Sequence, residues 1–249
     1  MVKGVNLKQR TMADYRLVWF QHLHKAAGTY IIRRAMANGE RFWPTHENGN
    51  PVKNGAVIPL WKFNSSELKS FIDECEAKSV TFVACEWGGP DFEVLAGDDR
   101  VTMLTCLRHP TKRLISNYNY DHYWMWTKAK SYTEYLGEGH LHSSPEYYTR
   151  IFARDSLDID QAKKNLALFD HVIIAEENMD TLEELGWSEE SDTTHPTFGD
   201  KKRAAILFVK LRWIRLFNYL KKKKFQPPEE IKIDEINKND LELYESLRR

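Results

Sequence analysis

The stretch Arg16–Ala35, RLVWFQHLHKAAGTYIIRRA, constrains the fold of this chain more than any other. Leu17-Val18-Trp19-Phe20 carries the β-branched and aromatic weighting of a short buried strand. The small residues Ala26-Ala27-Gly28 follow as a turn, and a helical pattern begins near Thr29. A strand that feeds a helix through such a turn leaves backbone amides pointing outward. The helix dipole favours negative charge at the same place, so the segment predicts an anion site. Lys25 stands at its mouth. A Walker-type loop would need G-x-x-x-x-G-K-[ST], with the lysine after the second glycine. Here Lys25 precedes the turn's only glycine and Thr29 follows it, which disfavours a nucleoside triphosphatase and leaves a shorter cradle for one phosphate-like group.

The rest of the chain supplies partners for that strand. SVTFVACE (79–86), VTMLTCL (101–107) and DHVIIAE (170–176) read as further buried strands. They alternate with helical segments expected near 65–78, 111–126, 145–153 and 159–169. Strands alternating with helices predict parallel pairing: an α/β fold, a P-loop-like parallel sheet of about four to five strands flanked by helices, with a C-terminal helical extension. No repeat or linker divides the chain, so a single domain over 1–249 is expected, with 1–14 a loose N-terminal arm and 201–249 the C-terminal helical part. Residues 39–64, rich in Gly, Pro and Asn, read as a long loop.

Charge narrows the function. Lys plus Arg and Asp plus Glu balance at 36 each, so no global field argues for nucleic acid, and anion binding must be local. The three cysteines lack metal-type spacing and read as reduced core residues. No apolar run is long enough for a transmembrane segment, and the first residues lack the apolar core of a signal peptide.

A second constellation, Thr105-Cys106-Leu107-Arg108-His109-Pro110 and on to Ser116, places Arg108 at the C-terminal end of a predicted strand, where open α/β sheets seat their ligands. Ser116 lies two turns into the next helix. A guanidinium and a hydroxyl suit a terminal phosphate. Arg113, between them, reads as a solvated surface residue.

Two anion sites at one sheet edge suggest a nucleotide with separated phosphates. FQHLHKAAGTY resembles the 5′-phosphosulfate loop of sulfotransferases, commonly H-I-P-K-T-G-G-T-S, and LRHPTKRLISNYNY resembles their 3′-phosphate motif, R-D-P-x-x-R-x-x-S-x-Y. The nearest flavour is the carbohydrate sulfotransferase group that includes heparan 2-O-sulfotransferases, and the likeness covers most of 16–187 and 236–247. The resemblance implies 3′-phosphoadenosine 5′-phosphosulfate (PAPS) as donor, 3′-phosphoadenosine 5′-phosphate as product, and no metal. It implies that Lys25 contacts the bridging oxygen, that Ala26, Ala27, Gly28, Thr29 and Tyr30 wrap the 5′-phosphate, and that Arg108 and Ser116 bind the 3′-phosphate. Tyr30 and His109 stand where the family commonly has Ser or Thr, and Asp. The acceptor would be a hydroxyl, less commonly an amine, of a glycan or small molecule. The family's Golgi members carry a membrane anchor; this chain reads as a trimmed catalytic domain or a free-standing cytoplasmic enzyme, and its length and Met1 favour the second.

Transfer to a hydroxyl needs a base. Glu86, at the end of the second strand where relatives place His or Glu, is the first candidate, and the apolar strand end beside Trp87 is expected to raise its pKa. His24 is the rival base, on the same strand face as His22, which reads as packing. His140 and His142 have no cysteine nearby and read as a substrate loop or plain surface rather than a metal site. The aromatic helix end Tyr118–Trp126 reads as core packing, or as rings that stack on an acceptor. Helix 201–224, apolar nearly all round with a basic tail, reads as a core helix; peripheral membrane contact or a homodimer interface is the alternative. Two rival functions share the fold: a P-loop-like phosphoryl-transfer enzyme, and a non-catalytic nucleotide-binding or scaffold protein.

Overall fold

The computed structural model describes residues 15–188 except 125, 128, 130 and 131, together with 205, 208, 209, 213 and 233–248. In chain order it comprises β1 (Leu17–Gln21), α1 (Gly28–Ala37), three short strands β2 (His46–Glu47), β3 (Asn50–Lys53) and β4 (Ala56–Val57), α2 (Ser65–Ala77) and β5 (Phe82–Cys85). There follow α3 (Phe92–Ala96), β6 (Val101–Leu107), α4 (Pro110–Trp124), α5 (Tyr132–Gly137), α6 (Tyr147–Phe152), α7 (Ile159–Leu166), β7 (His171–Ile174) and a C-terminal helix, Lys238–Ser246. The main sheet has the order β5-β1-β6-β7 and every pairing in it is parallel. This is the expected α/β architecture.

Parallel strands are covered on both faces and therefore read as continuous apolar runs. Every residue of β1, β5 and β6 is buried. Leu17 and Trp19 join a core with Phe71, Leu107 and Phe152, whereas Val18 and Phe20 join one with Ile31, Phe82 and Trp187. The chain leaves β1 for β5 on one side and returns on the other as β6. That reversal opens a crevice above the C-terminal ends of β1 and β6, the topological switch point where such sheets bind ligands. Gln21 holds the crevice floor: its side-chain amide donates to the carbonyls of Cys85 (2.9 Å) and Gly88 (3.2 Å), while its backbone carbonyl accepts from Thr105 Oγ1 (3.0 Å).

Residues 46–57, read as loop, form a three-stranded antiparallel meander β2-β3-β4. Its two turns are Asn48-Gly49 and Asn54-Gly55, all four residues at positive φ, between 48° and 82°. This is the Asn-Gly signature of a two-residue hairpin, whose backbone requires positive φ at both central positions.

Arg113 is 1% exposed, not solvated. Its guanidinium lies 4.4 Å from the Tyr147 ring centre and donates to the His142 carbonyl at 2.8 Å. A helix start is braced nearby by reciprocal caps. Asp240 accepts from the amides of Tyr148 (2.9 Å) and Thr149 (2.8 Å), and Glu146 accepts from those of Asn239 (3.0 Å) and Asp240 (2.8 Å). The C-terminal helix thereby fixes the pair Tyr147-Tyr148 over the crevice.

Arm 1–14 lies outside the described residues, as does most of 201–224. Residues 205, 208, 209 and 213 are helical, and Phe208, Val209 and Trp213 are exposed rather than buried in the core. Among the described residues no helix is long and apolar enough to cross a membrane. The three cysteines are buried and unpaired.

Candidate active site

The turn after β1 is bent more sharply than its sequence suggests. Lys25 (φ 65°) and Ala27 (φ 60°) both occupy the left-handed region, which costs a residue with a Cβ about 1–2 kcal/mol. The result is a concave run of amides at the start of α1. The Ala26 amide is engaged with Leu23 O (3.1 Å) and that of Tyr30 with Ala27 O (2.9 Å). Those of Ala27, Gly28 and Thr29 have no acceptor among the described residues. Of the five residues expected to wrap a phosphate, three present free amides. Ala26 and Tyr30 shape the turn instead, and the Tyr30 hydroxyl accepts from Arg34 Nη1 at 3.1 Å.

Gly28 is required by close approach. A Cβ there would lie 1.9 Å from His22 Nε2, because the His22 ring, stacked on Phe20, fills the space under the turn. Gly28→Ala should force that ring out. The expected result is a loss of about 1–3 kcal/mol, read as a lower urea midpoint with unchanged slope.

Lys25 points into the crevice. Its Nζ sits 3.5 Å from the centre of the Tyr120 ring. Burial lowers its pKa to about 8; Asp121 opposes that shift and Arg108 adds to it. Asp121 is itself buried, accepts from the Tyr135 hydroxyl at 2.5 Å, and has its pKa raised by that burial. Tyr120 was read from the sequence as core packing or as a ring for an acceptor, not as a partner of Lys25, and Asp121 was not singled out.

Glu86 departs from expectation. Burial would raise its pKa, but His22 and a hydrogen bond from His24 outweigh burial and hold it down, to about 2. His24 Nδ1 lies 2.8 Å from Oε1, and Asn50 Nδ2 donates to Oε2 at 3.3 Å. The Asn50 carbonyl oxygen in turn accepts from the Glu86 amide at 3.0 Å. Burial drives His22 towards neutral, so near pH 7 its pull lapses and His24 and Asn50 hold the carboxylate. An ionised carboxylate only accepts, so His24 Nδ1 carries a proton, and in the neutral form of the ring Nε2 is the nitrogen with the lone pair. The arrangement is a carboxylate-oriented imidazole. Glu86 is the orienting group, and its partner Asn50 comes from the meander misread as loop.

Across the crevice, the Tyr148 hydroxyl accepts from the Arg108 amide (3.1 Å) and donates to its carbonyl (2.7 Å), while the adjacent Tyr147 hydroxyl accepts from the His24 amide (3.2 Å). One pair of tyrosines therefore sets both of the segments expected to bind anions. The Arg108 side chain is about one-third exposed and faces Glu176, Nε to Oε1 3.5 Å, with Lys112 3.9 Å from the same oxygen. Ser116 is half-buried on α4.

The chain matches no protein-family model and no curated protein. The site's geometry therefore carries the functional reading.

His142 completes the cluster. Its ring stacks on that of His24, centres 4.3 Å apart and planes within 17°, and packs against Trp87 at 5.0 Å. The loop is pinned by Arg113 and by Asn117 Nδ2, which donates to the His142 carbonyl at 3.3 Å, so it is neither loose nor plain surface. His24, Glu86 and His142 bring ligand atoms within 4.8 Å of one another. A metal ion lies in the plane of each imidazole that binds it. Two face-to-face rings share no such point, so this arrangement suits hydrogen bonding rather than coordination.

Proposed function

We propose that the protein is a PAPS-dependent sulfotransferase that moves a sulfuryl group to an acceptor hydroxyl. The observation that carries this reading is the pairing, at one switch-point crevice, of a cationic amide cradle with a second cationic site beside a carboxylate-oriented histidine. The donor set fits a nucleotide with a 5′ and a 3′ phosphate-type group. Ala27, Gly28 and Thr29 offer unused amides, Lys25 of the same turn offers an ammonium held against Tyr120, and Arg108 offers a partly exposed fork.

When bound, the donor supplies an activated sulfuryl group. The Lys25 ammonium neutralises charge at the oxygen that departs. His24 Nε2 takes the acceptor proton, and Glu86 steadies the imidazolium that forms. Arg108 exchanges Glu176 for the 3′-phosphate, trading one anion for another at the same fork. Tyr147 and Tyr148 hold the two halves at fixed separation.

Calorimetry with 3′-phosphoadenosine 5′-phosphate and with ATP tests the reading: tight binding of the first and none of the second is expected. Preference for ATP would replace the proposal with phosphoryl transfer. Arg108→Ala should weaken 3′-phosphoadenosine 5′-phosphate roughly 10- to 100-fold, the loss of a charged hydrogen-bonded contact. Adenosine 5′-phosphosulfate, which lacks the 3′-phosphate, should bind the variant and the parent alike.

A further inference from the structure

His142 has an unusual environment. Neither ring nitrogen has a hydrogen-bond partner, and both are closed off from solvent. A buried polar atom without a partner is costly, and native proteins retain few unless a ligand or water completes them. The ring is held between His24, Tyr147 and Trp87, with Tyr147 fully buried and Trp87 45% exposed. Its backbone is fixed by Arg113 and Asn117, so its position does not depend on a ligand. Of the three neighbouring rings, the Trp87 indole is the one with an open face.

We infer that His142 and Trp87 form an acceptor subsite for a neutral, hydroxyl-rich ring, His142 holding a hydroxyl adjacent to the one that His24 deprotonates. The inference rests on the reading of His24 as base. The stack brings one nitrogen of each ring within 4.8 Å of the other, a spacing suited to two hydroxyls on neighbouring carbons. A hydroxyl both donates and accepts, and so satisfies either nitrogen of a neutral imidazole. A carboxylate or sulfate only accepts, and would meet the nearby Glu86 carboxylate as a like charge. Burial, with the nearby His24, holds the His142 pKa down to about 3, so the ring stays neutral and offers no cation to an anionic acceptor. The exposed Trp87 indole gives a flat apolar face for a sugar-like ring and, by turning outward, uncovers the His142 nitrogens. The subsite therefore selects uncharged over anionic rings at the position next to the reacting hydroxyl.

The test reads binding and needs no turnover. Wild type, His142→Ala, His142→Phe and Trp87→Ala are titrated with p-nitrophenyl β-glucoside and p-nitrophenyl β-glucuronide by ligand-observed saturation-transfer NMR, with and without 3′-phosphoadenosine 5′-phosphate. His142→Phe keeps the stack on His24 and removes both nitrogens, so a melting temperature that does not fall in that variant separates lost contacts from lost folding. The expected result is glucoside binding by wild type that is at least tenfold tighter than glucuronide binding. It should weaken tenfold or more in all three variants, with nucleotide affinity unchanged within twofold. Wild type that fails to bind glucoside, glucoside affinity unchanged in His142→Phe, or a preference for glucuronide would overturn the subsite. So would stoichiometric zinc binding lost in His142→Ala, which would make His142 a metal ligand. Failure of the nucleotide to bind counts against the proposed function alone, because the titrations without nucleotide read the subsite independently.

Discussion

Lys25→Met should yield a more stable protein that lacks the proposed transfer activity. The ammonium is held in a buried position where its pKa falls from 10.5 to about 8, with burial the leading cause. A shift of that size corresponds to roughly 3 kcal/mol of disfavour for the charged form. Part of it would be offset by the lost contact with the Tyr120 ring, about 0.5–2 kcal/mol. The net gain at pH 7 is therefore about 1–2 kcal/mol. The sign follows from proton uptake. Between about 8 and 10.5 the folded chain binds fewer protons at Lys25 than the unfolded chain, so wild-type stability rises with pH across that window. The advantage of Lys25→Met is full below pH 8 and gone near 10.5. Transfer should fall by roughly 10²–10³, the loss of one preorganised charge at the departing oxygen. Wild-type affinity for 3′-phosphoadenosine 5′-phosphate should decline above pH 8 as the ammonium is lost, and the variant should lack that decline. Thermal melts at pH 7 and 10, with calorimetry across the same range, check both. A destabilised variant would mean that Lys25 is held for packing rather than for a ligand.

Most of the framework was legible in the sequence because it is written in local patterns. The four main strands are short, apolar and bounded by polar or small residues, and buried parallel strands have that look because both faces are covered. The strand–turn–helix that carries Lys25, Gly28 and Thr29 was legible for a similar reason, since those residues fall within five consecutive positions. The parts that escaped depend on long-range packing. Arg113 sits on a helix among polar residues, and nothing local reveals that Tyr147 and Tyr148 arrive to cover it. Glu86 was expected to have a raised pKa because an apolar strand end and Trp87 flank it. Two histidines from β1's end and an asparagine from the meander reverse that. The meander itself did leave a signal. Asn48-Gly49 and Asn54-Gly55 are hairpin dipeptides, and they were outweighed by the Gly and Pro content around them. His142 was the hardest to place, since its partners come from the turn after β1, from the turn after β5, from α4 and from α6.

The second large effect is expected at the His24–Glu86 pair. If His24 Nε2 takes the acceptor proton, His24→Ala removes the base and should lower kcat/KM by roughly 10²–10⁴ with the acceptor found by a mass-scored screen. Glu86→Gln leaves the shape but alters the partner of Nδ1, freeing His24 to adopt the other tautomer. A loss of similar order is expected, as for an orienting carboxylate in a triad. Because the two act as a unit, the double variant should be little worse than either single one. Were Glu86 itself the base, His24→Ala would keep most activity and only Glu86→Gln would abolish it. Stability gives an independent check. The Glu86 carboxylate is held from 4.5 down to about 2, so the unfolded chain binds more protons there as the solution is acidified. The stabilisation it contributes is complete above pH 4.5 and is lost as pH falls towards 2. Glu86→Gln should flatten that segment of the acid-unfolding curve. His24→Ala should shrink it in part, because Asn50 still donates to Oε2 and His22, 3.5 Å away, gains a proton as pH falls. An acid limb that survives Glu86→Gln intact would show that the carboxylate is not paired as the geometry requires.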